Sequence, residues 1–215
     1  MRTTLIAIRH GETESNLVAR FQGQLDVPLN DRGRQQAIAV AQALADLQPA
    51  ALFSSDLSRA HETALSIARA CNVEVVVDAR LRERAFGRFE GLTKPEVAAK
   101  YPQDYARLEA RERHFKPLGG ESIHELHERV ATVMRDLAER HAGSVIVLVT
   151  HLWVLDSLYR CARKIALETE SSWRVPNAAS CCLTYDQGEF EVQEWGSVSH
   201  LLQVSQCPVQ EADKC

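Results

Sequence analysis

Val145-Ile146-Val147-Leu148-Val149 runs unbroken into Thr150-His151, and Thr3-Thr4-Leu5-Ile6-Ala7-Ile8 runs the same way into Arg9-His10-Gly11. A short apolar, β-branched run that stops on a polar pair and precedes a helical pattern reads as a strand buried on both faces of a parallel sheet. The chain between repeats the scheme. Ala50 to Phe53 reads as a strand ending in Ser54-Ser55, and Val73 to Val77 as another. Asn30 is a good cap for a helix from about Asp31 to Leu47, which Pro49 ends, and Leu57 to Cys71 forms a second amphipathic helix. A short helix is expected around Glu14 to Ala19. Ser122 caps a long helix to about His141, stopped by Gly143, and another follows from about Trp153 to Ala162. Strands near 181–185 and 189–195 complete the pattern. The alternation predicts an α/β fold: a three-layer αβα sandwich on a mostly parallel six-stranded sheet.

Between Arg80 and Gly120 the periodicity weakens. This stretch is charged and broken by Gly87, Gly91, Pro95, Pro102 and Pro117, with room for two short helices at about 94–100 and 102–113. It reads as a helical insertion (about 80–120) over the functional edge of the sheet, where strand carboxyl ends gather ligands.

Composition restricts the function. The 215 residues carry 25 Lys plus Arg against 29 Asp plus Glu, a net charge of -4, and are 45% hydrophobic. That is the balance of a soluble globular chain, expected in the cytoplasm. No apolar run reaches the ~20 residues of a membrane helix, and no basic tract suits a nucleic-acid partner. Six cysteines, Cys71, Cys161, Cys181, Cys182, Cys207 and Cys215, contain no C-x-x-C pair and read as reduced thiols.

The strand ends carry the chemistry. Parallel topology brings Arg9-His10, Ser54-Ser55 with Arg59 one turn beyond, and Thr150-His151 to a single edge, with Leu81-Arg82-Glu83 in an equivalent place. Two imidazoles, two guanidiniums and one carboxylate suit a phosphoryl group. Arg9 and Arg59 are permanently charged forks for its oxygens. Neutral His10 is a nucleophile, favoured in that form by the neighbouring charges. Glu83 gives a proton to the leaving oxygen and later takes one from water. These groups carry the electrostatic load, so no metal and no cofactor is called for. Any one of them alone is weak; their coincidence at several strand ends is not.

Arg9-His10-Gly11-Glu12-Thr13, Asn16, Phe21-Gln22-Gly23, Asp26-Val27-Pro28-Leu29 and Gly33 resemble the opening of the histidine phosphatase superfamily, the phosphoglycerate mutase-like proteins. The likeness continues through Ser54 to Ala60, Leu81-Arg82-Glu83, Gly87 to Gly91, Gly119 to Ser122 and Val149-Thr150-His151, in order over about residues 3–195. It implies that His10 becomes a phosphohistidine, that Glu83 is the acid/base, and that Arg9, Arg59 and His151 hold the phosphoryl group. It further implies that Asn16, Gln22 and Gly23 line the pocket, with Leu152 supplying a backbone N–H. A single domain over 1–200 is expected, with a lid at about 84–120 and a C-terminal tail at 201–215.

Two departures tilt the expectation toward a phosphatase acting on a small phosphorylated molecule. Many relatives have Gly after the second His, where Leu152-Trp153 follow here. Mutases that resemble this chain carry a Tyr where Phe86 falls and a basic pair that Arg111, Arg113 and Lys116 do not reproduce, besides a longer insertion. A cofactor-dependent phosphoglycerate mutase is the alternative, and a non-catalytic binding or regulatory module on the same fold ranks below both. A homodimer through an edge strand stays open. His124-Glu125-Leu126-His127 misses H-e-x-x-H spacing and reads as ordinary exposed helix. His61 is a rim or surface residue, and Trp153, Trp173 and Trp195 read as core or edge packing. The segment Asn177 to Cys182 resembles one whose backbone approaches the site.

Overall fold

Residues 1–201 are described by a computed structural model. Its six strands, β1 (Thr3–Arg9), β2 (Ala51–Ser54), β3 (Val75–Val77), β4 (Val145–Thr150), β5 (Ser180–Asp186) and β6 (Glu189–Ser197), form one sheet in the order β3-β2-β4-β1-β5-β6. The first four run parallel, β5 pairs antiparallel with β1, and β6 pairs antiparallel with β5. The predicted mostly parallel six-stranded sheet is present.

The chain steps outward from β1 to β2 and β3, then returns to insert β4 between β1 and β2. Helices made before and after that return pack on opposite faces. On one, α2 (Asp31–Ala43) and α3 (Ser58–Cys71) bury Val40, Ala60, Ala64 and Ile67 against Ile8, Leu52 and Val149. On the other, α6 (Ile123–Arg140) and α7 (Leu152–Arg163) cover Leu5, Ile146 and Leu148. Helix α6 buries Leu126, Val130, Val133, Met134 and Leu137, a stripe at three- and four-residue spacing. Ser122 opens it with a capping box to Glu125, as expected.

Several boundaries differ from the sequence reading. Helix α2 stops at Ala43 instead of Leu47, because the chain tightens into turns closed by Ala45 N to Gln42 O and Leu47 N to Leu44 O before Pro49 is reached. Helix α1 (Glu14–Leu17) is shorter than expected, with Ala19 left-handed at φ 51°. In the insertion, α4 (Lys94–Lys100) falls where predicted. There α5 (Pro102–Glu109) ends early, and left-handed Arg111 (φ 49°) turns the chain.

The insertion has its own small core, in which Phe86, Phe89, Val97, Leu108 and Phe115 are buried. It is clasped to the domain by Phe21, whose backbone exchanges hydrogen bonds with Leu92 O and Gly91 N. Of the last twenty residues, 196 and 197 end β6 and Ser199–Leu201 form a 3₁₀ turn, with His200 Nε2 2.9 Å from Ala178 O. The rest of the predicted tail, including Cys207, lies outside the described residues. Cys71, Cys161, Cys181 and Cys182 are free thiols. No helix among the described residues is long and apolar enough to cross a membrane.

Candidate active site

Strand register does the first work of assembly. Arg9 pairs with Thr150 and Val149 with Ser54, so β1, β4 and β2 end side by side. Arg59 follows from the first turn of α3. Glu83 comes after a 3₁₀ turn (Ala79–Leu81) whose end is tied to β4 by Thr150 Oγ1, donating to Leu81 O at 2.8 Å. Beyond His10 the chain lies flush on α2: a Cβ at Gly11 would collide with the carbonyl of Gly33. Glycine is required there by contact, not by dihedral angle.

These elements enclose a cavity of about 110 Å³, lined by Arg9, His10, Asn16, Gln22, Gly23, Arg59, Glu83 and Leu152 together with Arg20, Phe21, Phe86 and Trp153. His151 is brought to the same place without reaching the wall. It is fully buried, with its ring centroid 5.1 Å from that of His10.

The cavity is a cradle of donors around one lone pair. His10 Nδ1 lies 2.7 Å from Gly11 O. A carbonyl only accepts, so Nδ1 carries the proton and the neutral ring keeps its lone pair on Nε2. Burial, then the charges of Arg59 and Arg9, hold the His10 pKa well below its ordinary 6.5. Burial likewise lowers His151, assisted by Arg59 and His10. Arg59 is fixed through Nη1 to Leu25 O and Nη2 to Gly23 O, both 2.8 Å, and Arg9 through Nη1 to Val175 O at 2.7 Å. Desolvation brings the Arg9 guanidinium down to about 10, leaving it a cation at neutral pH. Arg9 Nε, Arg59 Nε and both ring nitrogens of His151 are buried without a hydrogen-bond partner.

Two carboxamides add neutral donors. Asn16 Oδ1 accepts from Thr13 N and Asn177 Nδ2, both at 3.1 Å, and Gln22 Oε1 accepts from the Thr13 hydroxyl at 2.9 Å. With the oxygens occupied, the amide NH₂ groups are what each residue offers a ligand. Glu83 accepts from Arg84 N at 2.8 Å and from Trp153 N at 3.2 Å. Its pKa is nonetheless raised, because burial outweighs those bonds and the attraction of Arg59 and Arg9. A carboxyl shifted toward its protonated form, in one cavity with an imidazole shifted toward its neutral form, suits an acid paired with a nucleophile.

The sequence reading missed Arg20 and took Trp153 for packing. Trp153 does pack, edge-on to Phe86 at 5.7 Å and against the insertion's core, and it is also part of the cavity wall. Its place is set by α7, which begins right after His151, and only that position after β4 could have flagged it. Arg84 was also missed: its buried guanidinium lies 5.2 Å from the Phe86 ring and 5.0 Å from Trp153. Trp173 and Trp195 do pack at an edge, on Tyr159. Asn177 Nδ2 reaches His10 O at 3.1 Å, and Ala178 N donates to the same oxygen, also at 3.1 Å. The late segment therefore does approach the site. His61 is not on the cavity wall. His124 and His127 are half-buried instead of exposed: His124 packs on the His114 ring at 4.8 Å, and His127 Nδ1 lies 3.0 Å from Ser157 Oγ.

Fixed cations and amide donors around a buried imidazole, at the carboxyl edge of a three-layer sheet, define a phosphoryl-handling enzyme. Residues 5–198 match the histidine phosphatase superfamily (branch 1). The chain is 40% identical over 200 residues to phosphoglycerate mutase-like protein 4 of Arabidopsis thaliana, covering 92% of this chain and 86% of that protein. It is 35% identical over 205 residues to the metal-independent phosphoserine phosphatase of the same plant, covering 94% and 84%. Among solved structures, Bacillus stearothermophilus YhfR aligns with a TM-score of 0.87 at 31% identity, over 93% of this chain and 99% of that one. The chain belongs to the histidine phosphatase superfamily and is a phosphoric monoester hydrolase of that superfamily.

Proposed function

We propose that the protein hydrolyses a small-molecule phosphomonoester without a metal, through a phosphohistidine on His10. The substrate phosphoryl group binds against Arg9, Arg59 and His151, with Asn16, Gln22 and the backbone N–H of Leu152 on its remaining oxygens. The Nε2 lone pair of His10 forms the N–P bond as the ester P–O bond breaks. The leaving oxygen takes the proton of Glu83. In the second half, the Glu83 carboxylate takes a proton from water, whose oxygen attacks phosphorus; the N–P bond breaks, its electron pair returns to Nε2, and inorganic phosphate leaves. In this reading 84–120 is the lid of a single domain, and Gly23, left-handed at φ 51°, lets the backbone hug the wall beside Glu90.

The observation that carries the proposal is the set of unpartnered, buried nitrogens of Arg9, Arg59 and His151 around a His10 whose tautomer leaves Nε2 bare. The likeness to a relative named for metal-independent hydrolysis agrees with it. The test is direct. His10→Ala is expected to abolish turnover of an aryl phosphate, with EDTA leaving the unmodified protein at full rate. Turnover surviving in His10→Ala, or lost to EDTA and restored by a divalent ion, would overturn the mechanism.

A further inference from the structure

The catalytic cavity, about 110 Å³, falls well short of the roughly 300–1,000 Å³ of a pocket that encloses a whole small ligand. It has room for a phosphoryl group and little more, so a leaving group has to extend elsewhere. A second cavity of about 300 Å³ shares Phe21, Leu152 and Trp153 with the first, which places the two side by side. Resting on the phosphatase reading above, we infer that this neighbouring cavity is the leaving-group site and that it selects phosphomonoesters of an uncharged, flat ring.

Shape and rigidity carry the first half of the argument. The walls are three aromatic rings, Phe21, Trp153 and Trp173, with Leu152 and Val175. All three rings are already held, Phe21 by Phe86 at 4.8 Å. Trp153 lies edge-on to Phe86 at 5.7 Å and within 5.3 Å of the Arg111 guanidinium, while Trp173 packs on Tyr159 at 4.4 Å and on Arg160 at 4.8 Å. A cavity whose aromatic walls are ordered beforehand binds a flat apolar group with little further loss of conformational freedom.

Charge carries the second half. A carboxylate on the leaving group would need a cation to meet it. Lys94 and Arg111 are the cations on this wall, and each already faces a carboxylate: Lys94 meets Glu109 at 3.1 Å, and Arg111 meets Asp156 at 3.3 Å. Arg20, on the catalytic wall, is bonded to Glu96 at 2.8 Å. An adjoining cavity of about 520 Å³, which shares Phe21, Lys94, Arg111 and Trp153 with this one, adds Glu168 and Glu170, the former paired with Arg113 at 2.8 Å. An anionic leaving group thus meets matched cations and further carboxylates, whereas a neutral ring meets its own kind of surface.

The experiment compares kcat/KM for three alkyl phosphates, 2-phenylethyl phosphate, O-phosphoserine and 3-phosphoglycerate, so that leaving-group basicity does not decide the order. The aromatic ester is expected to lead both others by tenfold or more. Trp173→Ala is expected to shrink that lead several-fold. Exposed Glu109→Gln, which frees Lys94 at little risk to folding, is expected to raise kcat/KM for 3-phosphoglycerate several-fold without raising it for the aromatic ester. A lead below tenfold, or a carboxylate ester in front, overturns the inference while leaving hydrolysis intact. Failure to hydrolyse any of the three overturns the phosphatase reading itself.

Discussion

The same burial pushes the pKa values of His10 and Glu83 in opposite directions, since desolvation penalises whichever form is charged. His10, held well below 6.5, is a neutral nucleophile throughout the neutral range, and Glu83, held above its ordinary 4.5, is shifted toward the protonated form that has a proton to give. The rate should therefore rise as pH climbs through the lowered His10 value and fall as it climbs through the raised Glu83 value. Glu83→Gln removes the second limb and is expected to cost about 10²–10⁴-fold in kcat/KM. The loss should be larger for an alkyl phosphate than for 4-nitrophenyl phosphate, whose leaving group needs no proton. Stability moves the other way. A carboxyl with a raised folded pKa contributes stability below its unfolded pKa and loses it as pH rises through the folded value. At pH 8 Glu83→Gln should be at least as stable to urea as the parent, with that difference fading below about 4.5. A pH-rate profile with its basic limb intact in the variant would assign the proton to another group.

Among the elements, what the sequence made legible followed from local rules. The β1 and β4 runs had no polar break, and Asn30 and Ser122 were strong caps, so those strands and the starts of α2 and α6 were readable from their own residues. Strand ends were legible for the same reason, and with them Arg9, His10, Arg59 and His151. Arg20 and Arg84 were not, because each reaches its place through contacts distant in sequence: Arg20 bridges to Thr93, and Arg84 Nε donates to Glu121 O at 2.9 Å. The insertion hid its order too, since its core of five buried apolar side chains is scattered over residues 86–115 with no single period. That separate core makes a prediction at this scale. Phe89→Ala, at a fully buried position, is expected to remove about 3–5 kcal/mol from the insertion. Amide exchange should quicken across residues 86–115 while β4 stays protected, and kcat/KM should fall because Phe86 and Phe21, which line the catalytic cavity, pack on Phe89's neighbours. Equal loss of protection in β4 would mean that insertion and sheet unfold as one unit.

At the scale of the whole molecule, a net charge of -4 conceals a positive centre. Among the described residues five buried side-chain atoms have no hydrogen-bond partner, and four of them belong to Arg9, Arg59 and His151. A buried polar group left unsatisfied costs roughly 1–3 kcal/mol. The fold thus holds several such costs at one point, and the three donors among them, Arg9 Nε, Arg59 Nε and the protonated nitrogen of a neutral His151, are of a kind that a tetrahedral oxyanion relieves. Binding to the folded state alone stabilises by RT ln(1 + [L]/Kd), which is about 2.7 kcal/mol at a hundredfold excess over Kd. For a chain of this length each kcal/mol moves Tm by about 2–4 °C. Orthovanadate or inorganic phosphate at that excess should therefore raise Tm by roughly 5–11 °C. Chloride at matched ionic strength should not, because surface screening falls on the exposed acidic charges and leaves the buried guanidiniums untouched. A phosphate shift no larger than that of chloride would mean that the convergence of Arg9, Arg59 and His151 does not act as an anion cradle.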